Sequence, residues 1–143
     1  MEHRAINQNY EAIAQDLIEK EPDLAYIKNS RVKITYLESD ARKKAGNDKF
    51  VLGECEKVAA KNKWAIISDF TITVFKNNCI GMSEDQMRVL LFHELLHIGI
   101  EIGPEDDEIY SVRKHDLEDF KIIIDRFGTD WQKAIKLDEM AEG

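Results

Sequence analysis

Ser83-Glu84-Asp85-Gln86-Met87-Arg88-Val89-Leu90-Leu91-Phe92-His93-Glu94-Leu95-Leu96-His97-Ile98-Gly99 is the stretch on which the fold turns. Ser83 followed three residues later by Gln86 is a capping box, which starts a helix at about Glu84. Met87, Leu90, Leu91, Leu95 and Ile98 then recur at helical spacing and line an apolar face, and Gly99 is expected to supply a left-handed stop. Two residues four apart on such a helix differ by only about 40° around its axis, so the rings of His93 and His97 stack and can grip one metal ion. Glu94 leaves the same turn at another angle, where it is free to take a proton from water instead of binding the ion. The pattern H-E-x-x-H in this helical setting reads as a zinc-protease active site.

Catalytic zinc takes three protein ligands and keeps the fourth position open, so a third ligand has to be found. The histidines are His3, His93, His97 and His115. Residues 1–6 are expected to fray, which sets His3 aside and favours His115. Asp116, Glu118 and Asp119 follow it directly and stay open as carboxylate alternatives. The chemistry expected of this set is peptide-bond hydrolysis by a zinc-activated water, with Glu94 as general base and later proton donor to the leaving amine. Tyr110 and Arg113 lie between the ligands in sequence and could hold the oxyanion, although a structural role is the commoner reading of each. Two other classes remain open: a catalytically inactive, zinc-stabilised binding module closed by a fourth ligand such as Asp119 or Cys55, and a nucleic-acid-associated protease.

A chain of 143 residues makes one domain, 1–143, with residues 139–143 expected to fray like the start. Hydrophobic residues at 43% and charged ones at 34% are the balance of a soluble globular protein, and no apolar run approaches a membrane span. The N-terminus lacks the apolar core of a secretory signal, so a cytoplasmic location is expected. Cys55 and Cys79 are too few for a disulfide framework and too far apart for a C-x-x-C pair, and read as free thiols. A formal charge of -8 argues against a broad nucleic-acid surface, leaving Arg42, Lys43 and Lys44 as the one local basic stretch that could contact one.

Along the chain, Tyr10, Ile13, Ala14, Leu17 and Ile18 make an amphipathic helix of residues 7–20, which Pro22 ends. A helical turn at 24–27 leads to a strand at 32–37 and a polar loop at 39–49. Strand-like patterns follow at 50–58 and 69–75, with Trp64-Ala65-Ile66-Ile67 extending or flanking the second. Behind the metal helix, residues 101–108 read as an acidic loop, either simply solvated or a rim that prefers basic substrates, and Ile109-Tyr110-Ser111-Val112 as a short edge strand. Asp116 can cap a helix with Leu117, Phe120, Ile123, Ile124 and Phe127 inward, stopped by Gly128, and Thr129 or Asp130 can cap a last one bearing Trp131, Ala134, Ile135 and Leu137. The sum is an α+β fold, a small mixed sheet packed with the H-E-x-x-H helix and flanking helices.

Several blocks also resemble a known family, the phage metallopeptidase domains, which are small zincins of bacteriophage and prophage genomes. The resemblance spans roughly Ala25 to Trp131 and rests on residues 51–58, Asp69-Phe70 opening a strand, residues 91–98, residues 114–120 and the closing Gly128-Thr129-Asp130-Trp131. It implies a minimal zincin-like fold with His93, His97 and His115 as metal ligands and Glu94 as catalytic base. A more distant resemblance to SprT-like proteases implies a DNA-linked role, but the chain lacks their cysteine-rich zinc module and its third histidine stands further from the motif. YbeY-like ribonucleases have no glutamate directly after the first histidine, so Glu94 favours peptide hydrolysis.

Overall fold

Asn7 opens the first helix, its side chain accepting the Tyr10 N–H at 2.9 Å, and α1 then runs over Gln8–Lys20. The computed structural model describes residues 2–45 and 50–113, and there the architecture is α+β with three α-helices, a four-stranded mixed sheet and a separate two-stranded one. It is the compact zincin-like fold expected. A 3₁₀ turn at Pro22–Leu24 and the short α2 (Ala25–Lys28) lead into the sheet.

The strands are β1 (Arg4–Ile6), β2 (Ile34–Ser39), β3 (Gly53–Lys57) and β4 (Phe70–Phe75), in the spatial order β1-β2-β4-β3. β2 and β4 pair in parallel from Ile34↔Phe70 to Ser39↔Phe75, while β1 and β3 pair antiparallel on either side. The alternation of a strand places Ile34, Tyr36, Phe70, Ile72 and Val74 on one face. That face meets Ala14 and Leu17 of α1, Leu24 and Ile27, and the apolar residues of the third helix in a single core. Among the described residues β3 is an edge strand.

Helix α3 (Glu84–Leu95) begins at the expected capping box: Ser83 Oγ accepts the Gln86 N–H at 3.1 Å, and Gln86 Oε1 accepts the Ser83 N–H at 2.8 Å. Val89, Leu90, Leu91, Phe92, Glu94 and Leu95 are all buried, so α3 is enclosed on more than one side and not merely along the stripe read from its spacing. Ser83→Ala removes a side-chain acceptor from this end and is expected to cost about 1 kcal/mol, read as a lower urea midpoint at unchanged slope. An unshifted midpoint would mean that packing alone holds the helix start.

Three expectations are corrected. Arg4–Ile6 does not fray: β1 pairs with β2 from Arg4↔Ser39 to Ile6↔Leu37. Gly99 is no left-handed stop, for the positive-φ residues among those described are Asp106 and Gly81; α3 ends at Leu95 and the chain turns at once into β5 (Ile98–Ile102). The acidic loop therefore shrinks to the turn of a hairpin, because β5 pairs antiparallel with β6 (Glu108–Val112) from Ile98↔Val112 to Ile102↔Glu108. Trp64–Ile67 flanks β4 and does not extend it; it follows a 3₁₀ turn at Ala60–Asn62, with Trp64 and Ile67 exposed. Strand bounds elsewhere differ by one to three residues, and Cys55 and Cys79 are free thiols, as expected. The helices read after His115, the frayed 139–143 and loop residues 46–49 lie outside the described residues.

Candidate metal centre

His93 and Glu94 stand in the last turn of α3, and His97 two residues beyond its end. The helical path continues just far enough, as the Leu96 N–H bonds to Phe92 O at 3.1 Å and the His97 N–H to Glu94 O at 3.1 Å. The two imidazoles consequently stay on one side, edge to face, with centroids 5.1 Å apart and planes at 83°. Both rings are half-buried.

His97 is oriented from outside the helix. Its Nδ1 lies 2.6 Å from the Arg113 carbonyl oxygen. A carbonyl can only accept, so Nδ1 carries the proton, and in the neutral ring this is the tautomer that leaves Nε2 the lone pair a metal ligand needs. The Arg113 N–H in turn bonds to His97 O at 2.6 Å. Tyr26 braces the same turn, its hydroxyl donating to Ile98 O at 2.7 Å.

Glu94 is 5% exposed, sealed by the edge strand. A Cβ on Gly53 would sit 3.4 Å from both Cγ and Oε2 of Glu94, so the strand's bare backbone lies against the carboxylate. Burial, with the charge of Glu54 adding to it, pushes the Glu94 carboxyl up to about 8. Glu54 is itself salt-bridged to Lys43. Burial also pushes the Cys55 thiol up, with Glu94 the next cause, which keeps it a neutral thiol and a poor metal ligand. Among the described residues no group of three His, Cys, Asp or Glu side chains is arranged to hold a metal, so Cys55 does not complete a set with His93 and His97. His115, Asp116, Glu118 and Asp119 lie outside the described residues.

Of the two side chains considered for the oxyanion, Tyr110 is engaged in packing. Its hydroxyl donates to Glu108 Oε1 at 2.5 Å and its ring meets Phe70 edge-on at 5.8 Å. Glu108 in turn accepts the Arg31 N–H at 3.1 Å, so the start of β6 is tied into the fold at this residue. Arg113 contributes through its main chain. Three features of the site escaped the sequence reading: the Arg113 carbonyl, Gly53 and the sheet edge to which it belongs. Only Gly53 had left a signal, a glycine inside a strand pattern, which often marks a close backbone approach.

A family model described as "Putative phage metallopeptidase" matches residues 3–137. The chain belongs to this family. A metallopeptidase family implies a bound metal ion and a protein or peptide substrate, and the H-E-x-x-H turn with its half-buried imidazole pair is where the described part of this family member offers donors of the right kind. No curated protein and no solved structure matches the chain. Among the described residues no helix is long and apolar enough to cross a membrane.

Proposed function

We propose that this protein is a zinc-dependent peptidase of the cytoplasm, with His93, His97 and His115 as metal ligands and Glu94 as general base. The observation that carries the reading is the seat of Glu94: a buried carboxylate between two metal-competent histidines in sequence, pressed against the backbone of an edge strand. An edge strand presents unpaired N–H and C=O groups to an extended peptide, which can add to the sheet as a further strand. A peptide on β3 would run past Glu94 at Gly53, and a glycine there leaves no side chain between backbone and base.

The donor set fits zinc, which favours neutral imidazole nitrogen. His115 enters by reach. Arg113 is hydrogen-bonded to His97, and two further residues extend the chain by at most about 7 Å between Cα atoms, so a histidine at 115 can serve the same ion. A zinc ion held there supplies Lewis-acid polarisation of a water molecule and of the scissile carbonyl. Glu94 accepts the water's proton and returns it to the leaving amine. His97, with Nδ1 bound to Arg113 O, stays oriented throughout.

Zinc per chain, measured on untagged protein under mild chelation, tests this directly. One zinc in the wild type, lost in His93→Ala and in His115→Ala, is the expected result. Zinc retained by His115→Ala would move the third ligand to Asp116, Glu118 or Asp119, and a wild type without zinc would overturn the reading.

A further inference from the structure

His97 and Arg113 fall on the register of the β5–β6 ladder one step beyond its last pair, Ile98↔Val112. In an antiparallel ladder alternate pairs exchange both N–H···O bonds. The Gly103 N–H to Asp107 O bond, 2.7 Å, and the Arg113 N–H to His97 O bond lie on that alternation, with Gly99↔Ser111 between them. At the terminal rung the exchange is incomplete in the backbone, because the His97 N–H is already given to Glu94 O as the helix ends. The imidazole takes the missing place: Nδ1–H, not the main-chain N–H, donates to Arg113 O.

Gly99 faces Ser111 on the next rung of the same kind, and the Ser111 and Arg113 side chains lie over it. A Cβ on Gly99 would lie 2.6 Å from Ser111 Oγ, 2.9 Å from Arg113 Cγ and 3.2 Å from the Ser111 carbonyl oxygen. Its φ is not in the left-handed region, so what the glycine supplies is room for the Ser111 and Arg113 side chains and not conformation.

We infer that Gly99 is a positioning residue for the metal centre: the room it leaves lets β6 bring the Arg113 carbonyl onto His97 Nδ1, which fixes the ring and the tautomer that presents Nε2 to the ion. The hairpin behind the motif thereby sets metal affinity, although neither Gly99 nor Arg113 supplies a ligand atom in this scheme. The inference rests on the metal reading above, yet it has a readout of its own in the metal-free protein.

Long-range ¹H–¹⁵N spectra of histidine-labelled, chelator-treated wild type report the tautomer of His97. A protected Nδ1–H tautomer is expected; an Nε2–H tautomer or a freely averaging ring would overturn the inference even if the protein binds zinc. Gly99→Val, whose branched side chain would press on the Ser111 and Arg113 side chains that lie over this position, is expected to lose that protected proton and to bind zinc at least about 10-fold more weakly in chelator competition. Wild-type affinity in folded Gly99→Val would equally overturn it, and if the variant does not fold the wild-type spectrum decides alone. Failure of the metal reading is separately visible, as wild-type protein and His93→Ala that are alike in taking up no zinc.

Discussion

Glu94→Gln is expected to keep its zinc and to lower kcat/KM by about 10²–10⁴-fold, the usual worth of a positioned general base. The amide preserves the shape of a side chain that is packed against Gly53, so neither α3 nor the imidazole pair should move. What it removes is the capacity to accept and return a proton. Zinc content and cleavage of a diverse peptide mixture, followed by mass spectrometry on the same preparation, separate the two properties. Wild-type cleavage by the glutamine variant would dismiss Glu94 as the base, and loss of zinc along with activity would assign it a structural part in the metal centre. His97→Ala supplies the contrast, since it should lose metal and hydrolysis together.

The same carboxyl should make the metal-free protein less stable as pH rises. Its folded value of about 8 lies above the ordinary 4.5, so between those two values the native state holds a proton that the unfolded chain has released. The slope of unfolding free energy with pH is then negative: the contribution is harmless below about pH 4.5 and fully unfavourable above about pH 8. Over that window the loss is on the order of a few kcal/mol. Glu94→Gln cannot ionise, so its chelator-treated form should be more stable than wild type at neutral pH, by a margin that grows up to about pH 8 and is then constant. Urea midpoints of both proteins across the window measure the margin. Parallel profiles would mean that water or a rearranged side chain solvates Glu94 after all.

Much of this was legible in the chain. The capping box at Ser83 and Gln86, the strand at Phe70–Phe75 and the amphipathic first helix are local patterns, each written in the spacing of side chains that answer to their own neighbours. The hairpin after the motif was harder to see. Ile98–Ile102 carries Gly99 near its start, with Gly103 and an acidic run behind it, and it becomes a strand only because β6 lies beside it. β1 is similar, three exposed residues whose structure comes from pairing with β2.

By itself the sequence determined that two imidazoles and a carboxylate would leave one helix end together, since a spacing of four residues and a cap upstream suffice for that. Only the tertiary structure decided what surrounds them: the Gly53 backbone that buries Glu94 and raises its proton affinity, and the Arg113 carbonyl that selects the tautomer of His97. One comes from a strand some way upstream and the other from just past the end of the hairpin behind the motif, and both act through backbone atoms. Side-chain spacing along a chain carries no record of which carbonyl or which bare Cα another segment will bring alongside, because every residue has the same ones.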